Sequence, residues 1–182
     1  MTAGAAVECG VYRGQGLGSL VWWLREVQDP QMAWGFDAFV GFASASPEDE
    51  MDGVVPPFSQ PEYYGDARLE TVEQFVAAIG LLNRIQLVPG YFEETLSQPP
   101  VEQISALSFD CDLYAAYRAC LNLLYERVLS GGWIILDEYF PPKYPGARIA
   151  VGEYFADKPE KPRLATHLLA EHPYERRYTI KE

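Results

Sequence analysis

Residues 107–139 read LSFDCDLYAAYRACLNLLYERVLSGGWIILDEY, and this stretch decides the fold expected for the whole chain. An apolar run (Ala106, Leu107, Phe109) ends in two carboxylates, Asp110 and Asp112. A helical segment follows, then Gly131-Gly132, then a second apolar run at 133–136 that ends in Asp137 and Glu138. Short apolar runs separated by a helix and a glycine turn predict a βαβ unit with parallel strands. The right-handed crossover puts both strand ends on one edge of the sheet. Open α/β sheets bind ligands beyond those carboxyl ends. Four acidic side chains are thus expected around one ligand position. Any one of them alone would be read as facing water. Two pairs at adjacent strand ends repel each other and ask for a cation.

Upstream, residues 5–16 (AAVECGVYRGQG) read as a strand, a glycine-rich turn and the start of a helix over 17–27. Leu17, Leu20, Val21, Leu24 and Val27 carry the helical spacing. Glycines at 10, 14 and 16 permit a tight turn and close approach of a ligand, though a purely structural loop reads the same way. The spacing fits neither GxGxxG nor a P-loop. A second strand ends at Asp37. An acid about 20 residues beyond a glycine loop is a ribose partner in nucleotide-binding sheets, and a solvated loop residue otherwise.

Residues 43–66 are rich in Pro, Ser and acids and predict a long loop, with Phe58, Tyr63 and Tyr64 as candidates for a pocket mouth. An amphipathic helix is expected over 69–82, with Val72, Phe75, Val76, Ile79 and Leu82 inward. A third strand follows at 85–88, closed by Pro89-Gly90. Tyr91 and Phe92 are placed either against a flat base or in packing.

The bulk of the chain limits its function. It has 182 residues, enough for one domain with a full core, and 48% are hydrophobic. A net charge of −12 argues against nucleic-acid binding. Cys9, Cys111 and Cys120 are odd in number and lack CxxC spacing, so a disulfide framework is not expected. There is no apolar run of membrane-spanning length and no basic leader, so the expected location is a reduced cytoplasm.

The segments VECGVYRGQG, GFDAFVGF, LVPGYFEETL, FDCDLY and GGWIILDEY occur in the order and spacing of one family. From about Val7 to about Phe155 the chain resembles macrocin-type O-methyltransferases. The resemblance implies an α/β Rossmann-like methyltransferase fold, a mostly parallel sheet with helices on both faces and a C-terminal antiparallel hairpin. It implies one S-adenosylmethionine- and Mg²⁺-dependent domain over 1–182 that methylates a hydroxyl of a small molecule, a glycoside. By the same resemblance Glu8, Gly10 and Gly14 hold the methionine end of the cofactor and Asp37 its ribose, with Tyr12, Ala38, Phe39 and Asp110 beside them. Gly90 and Tyr91 lie near the adenine. Asp110, Asp137 and Glu138 are the implied metal ligands and Asp112 the general base. A hydroxyl is a poor nucleophile at neutral pH, which is why such chemistry uses a hard cation and a carboxylate base.

Two departures stand out. Glu138 occupies a position where relatives carry Asp, and the first strand begins within about six residues of Met1, where the family has a helical segment. The expectation is a domain lacking that lid, read as a fragment, a misassigned start, or a short form that relies on another subunit, for instance in a homo-oligomer. The rival is a truncated, non-catalytic homologue serving as a binding partner or scaffold. A nicotinamide-dependent oxidoreductase is disfavoured by the acidic cluster and the missing GxGxxG. A Tyr139–Lys143 dehydrogenase pair is excluded, because Pro141-Pro142 forbid the helix it needs. A helix is predicted over 146–155 and an antiparallel hairpin over 163–181. His167 and His172 show no metal spacing.

Overall fold

The computed structural model describes residues 4–140, 143–165 and 175–182, with the side chains of Glu138, Phe140 and Glu175 outside that description. The strands are β1 (Ala5–Cys9), β2 (Ala33–Asp37), β3 (Ile85–Pro89), β4 (Ile104–Phe109), β5 (Val128–Phe140), β6 (Arg163–Leu164) and β7 (Glu175–Ile180). They form one sheet in the order β3-β2-β1-β4-β5-β7-β6. The first five are parallel, and β7 pairs antiparallel with both β5 and β6. This is the mostly parallel sheet with a C-terminal antiparallel pair that the sequence predicts. The tip of that hairpin and both histidines lie outside the described residues. No described helix is long and apolar enough to cross a membrane.

Alternation along the strands sends side chains to two cores. On one face, Val7, Cys9, Leu107, Phe109, Ile134 and Leu136 pack against α4 (Tyr114–Leu124) and α5 (Pro145–Tyr154). Tyr117 is fully buried there because its hydroxyl donates to the Phe109 carbonyl at 3.1 Å. On the other face, Ala6, Ala33 and Ile85 meet α1 (Gln15–Glu26) and α2 (Leu69–Ala78). Leu17, Val21 and Leu24 of α1 and Val72 and Val76 of α2 are the buried positions, at the helical spacing the sequence shows. Truncating any of these leucines to Ala costs about 2–5 kcal/mol.

Two expectations need correction. Helix α2 stops at Ala78, so Ile79 and Leu82 stay exposed, and Leu81, just past the helix end, is the residue that turns inward. Gly131-Gly132 are not a turn before a strand but part of β5. Against β4 the pairing jumps from Ile104↔Val128 to Ala106↔Trp133, so a bulge absorbs the extra residues. Gly131, at φ +79°, supplies the backbone conformation that bulge needs.

Candidate active site

The turn after β1 is built around two close approaches. Gly10 has φ +89°, and a Cβ there would lie 1.9 Å from the Asp110 carbonyl oxygen. The turn is therefore packed against the end of β4, where the Asp110 N–H donates to the Cys9 carbonyl at 2.9 Å. From the other side Asp37 clasps it. One carboxylate oxygen accepts the N–H groups of Val11 (2.7 Å) and Tyr12 (2.9 Å), and the other accepts that of Phe39 (2.8 Å). The three strand ends are thus joined into one rim.

That rim encloses a cavity of about 240 Å³. Gly10, Tyr12, Asp37, Ala38, Tyr91 and Asp110 line it, all expected on the cofactor side, and so does Asp112. Other expected residues stand behind the wall. Glu8 is buried beneath the turn, Gly14 faces Val72 and Phe75, and Phe39 points into the second core. Gly90 does not line the cavity either. Tyr64, expected at the mouth, does line it. The sequence reading missed Phe42, Ala43 and Ser44, which follow β2, and Leu113, Ala115 and Ala116 at the start of α4. The two alanines carry the one legible signal, small side chains at the N-terminus of a helix that follows a strand of the site.

Glu8 is the most perturbed group on the cofactor side. The Leu17 N–H, in the first turn of α1, donates to its carboxylate, while its Oε2 is buried without a partner. Burial, reinforced by the Asp110 charge, pushes its pKa up to about 8 from the usual 4.5. Between those values the folded chain holds a proton that the unfolded chain has released. Stability is therefore expected to fall as pH rises from about 4.5 to about 8. The loss across this window is about 3–5 kcal/mol. Urea unfolding at pH 5.5 and 8.5 measures it, and Glu8→Gln should remove this part of the slope.

Asp112 sits in a tight turn with φ +60°, closed by the Leu113 N–H donating to the Cys111 carbonyl at 2.6 Å. Backbone of this kind is strained and concentrates at functional sites. Burial raises the Asp112 pKa well above the carboxylate range, and Asp110 and Asp137 add to this by repulsion. Lys143 and a hydrogen bond from Tyr144 oppose the rise. Tyr144 also meets the Tyr64 hydroxyl at 3.3 Å, and burial pushes Tyr64 up to about 12. The Lys143 ammonium lies 4.6 Å from the Tyr144 ring centre, 5.3 Å from Phe58 and 5.6 Å from Tyr63. The aromatic residues of the 43–66 loop thus close over the acidic end of the cavity.

The expected metal ligands are less converged. Asp137 is ion-paired with Arg176, which faces it from β7. Among the described residues no three acidic, histidine or cysteine side chains converge on a metal position. Glu138 lies outside the described side chains. The carboxylate oxygens of Asp110, Asp112 and Asp137 are hard donors.

With this geometry in place the relatives become informative. The family model for macrocin O-methyltransferase (TylF) matches residues 2–163. The chain belongs to the macrocin O-methyltransferase family. Within this family it is similar to the mycinamicin III 3''-O-methyltransferase of Micromonospora griseorubida, 31% identical over 160 residues covering 83% of this chain and 60% of that one. It is also similar to the demethyldecarbamoylnovobiocin O-methyltransferase of Streptomyces niveus, 29% identical over 169 residues, 84% of this chain and 58% of that one. The chain thus spans about 60% of the length of these curated relatives. Among solved structures, the O-methyltransferase NovP superposes with a TM-score of 0.79 at 26% identity, covering 98% of this chain and 72% of that one. The calicheamicin methyltransferase CalS11 follows at 0.73, with the same identity and coverage.

Proposed function

We propose that this chain transfers a methyl group from S-adenosylmethionine to a hydroxyl oxygen on a sugar of a natural product, with Mg²⁺ at the acidic strand ends. The observation that carries the reading is Asp112, a buried carboxylate in a strained turn on the wall of the cavity that the glycine-rich turn also lines. Family membership and the TDP-rhamnose 3'-O-methyltransferase activity named for CalS11 support the same reaction class.

Bound in the cavity, the cofactor supplies an electrophilic methyl on a sulfonium, and Mg²⁺ would supply a Lewis acid that lowers the acceptor hydroxyl's pKa. The chain's own residues do the rest. Glu8, buried beneath the glycine turn, carries an unpartnered Oε2 that an ammonium group seated against that turn would meet, and Tyr91 offers a ring face for a base. Asp37 retains acceptor capacity toward a hydroxyl pair while clasping the turn. Asp110, Asp137 and Glu138 would hold the metal, with Arg176 displaced from Asp137. Asp112 takes the acceptor's proton. Phe42, Tyr64 and Leu113 line the same cavity, which restricts water around the reacting oxygen.

Calorimetric titration with S-adenosylhomocysteine, with and without Mg²⁺ and in two buffers of different ionisation heat, tests the site. Saturable binding is expected, with release of a proton at pH 7. Glu8 holds that proton up to about pH 8 and loses it to solvent when an ammonium beside it stabilises the carboxylate. Glu8→Gln should abolish the release. No binding to folded protein at millimolar ligand would overturn the proposal. Where binding holds, methylation of hydroxylated glycosides should be lost in EDTA and restored by Mg²⁺.

A further inference from the structure

Asp49 is only 1% exposed, although it sits in the loop between β2 and α2. A single turn of 3-10 helix at Pro47–Asp49 carries it inward. One carboxylate oxygen, Oδ2, accepts the Ser46 N–H at 2.8 Å and closes that turn on itself. The other, Oδ1, reaches out of the loop and accepts the Tyr114 N–H, the first of α4, at 2.8 Å. A Cβ on Gly146 would collide with this same Oδ1, so the carboxylate also rests against the first turn of α5.

Neither helix has a cap of its own. The residues before them are Leu113 and Tyr144, and neither makes a side-chain capping bond. The first turn of a helix leaves N–H groups without intrahelical partners and carries partial positive charge, and a carboxylate answers both. A residue 65 positions upstream of Tyr114 thus does what a Ser or Asp just before the helix ordinarily does.

Where these two helices start gives the cap its consequence. Asp112 stands two residues before Tyr114, in the turn with φ +60°. Upstream, that turn is tied to β1 by the Asp110 N–H on the Cys9 carbonyl at 2.9 Å. Downstream, Tyr114 ties it to Asp49. Strained backbone persists only where its surroundings hold it in place. Tyr144, just before α5, donates a hydrogen bond to Asp112. Phe58, from the same loop as Asp49, lies edge-on to the Tyr144 ring with 5.7 Å between centres. Asp49 therefore meets both the helix that follows Asp112 and the helix that follows its hydrogen-bond donor.

We propose that Asp49 is a positioning residue: it caps α4 and α5 together and thereby holds Asp112, at the cavity wall, against Tyr144. The inference rests on the role proposed above for Asp112. Asp49 is not among the residues that line the cavity, and it acts through the backbone rather than on a substrate.

Asp49→Ala and Asp49→Asn test it, with Glu50→Ala, exposed and next in sequence, as the control. In Asp49→Ala the Tyr114 amide should exchange with deuterium about tenfold faster, while the last turn of α4 keeps its protection, as NMR reads residue by residue. Single-turnover methylation per folded molecule should fall about 10- to 100-fold, the cost of a misplacement of about 1 Å at the reacting groups. S-adenosylhomocysteine affinity should change by no more than about threefold, because Asp37 holds the glycine turn independently. Asp49→Asn keeps the volume and one acceptor, so its turnover should fall between Asp49→Ala and wild type. It carries the test if Asp49→Ala does not fold, and wild-type turnover in it would then overturn the proposal. Glu50→Ala should match wild type throughout. A purely structural cap would lower stability and leave turnover per folded molecule unchanged. That result, or equal losses of affinity and turnover, overturns the proposal. Unchanged Tyr114 exchange overturns it too. This last readout needs no acceptor, so it decides the matter even if the wild-type chain methylates nothing and the reaction proposed above fails.

Discussion

Asp112→Asn is expected to lower methyl transfer by about 10²- to 10⁴-fold, the range for loss of a positioned general base. Binding of S-adenosylhomocysteine should change little, because the role proposed for Asp112 is toward the acceptor's proton and not toward the cofactor. The substitution is well suited to the question. Asn is among the few residues that accept a φ near +60°, so the turn between Cys111 and Leu113 should survive. The amide fills the carboxylate's volume but takes no proton. Single-turnover methylation, followed by mass spectrometry, separates this from a binding defect. Unchanged turnover in the variant would remove Asp112 from the chemistry.

Gly10→Ala is expected to be the most damaging small change in the chain. The added methyl would sit 1.9 Å from the Asp110 carbonyl oxygen, a backbone atom that no side-chain rotation can move aside. The φ of +89° disfavours it further. Either the turn lifts away from β4, or the end of β4 moves and takes Asp110 and Asp112 with it. A stability loss of about 3 kcal/mol or more is expected. Cofactor affinity should fall together with acceptor turnover, because one contact positions both ends of the cavity. Chemical denaturation and calorimetry on the same preparation measure the pair. An alanine variant with wild-type stability would show that the turn can sit elsewhere at no cost.

Much of this was legible in the chain's letters, for reasons that can be named. Apolar runs such as 133–136 are read as strands because a buried parallel strand needs apolar side chains on both faces. The acids at 37 and 110 fall at strand ends, where the fold puts its cavity, while Asp137 lies within β5, one residue past its last parallel pairing with β4. Legibility fails wherever the deciding contact is long-range. Nothing near Glu8 in sequence announces that α1 closes over it and raises its pKa. Nothing near Asp137 announces Arg176, brought opposite by antiparallel pairing. The cavity wall at 42–44 has no periodicity, since a loop is shaped by what it touches. Trp133 reads as core from its neighbours, yet among the described residues it is 47% exposed and stacks only on Tyr178, brought beside it by the antiparallel register of β7.

The clasp made by Asp37 has a thermodynamic consequence. Its carboxylate accepts three backbone N–H groups from the turn after β1 and from its own strand end. The ordering entropy of that turn is therefore spent during folding and is absent from the ligand equilibrium. Binding should resemble insertion into a rigid mould, with a heat-capacity change set by the ligand's own apolar surface and no added contribution from a loop that folds around it.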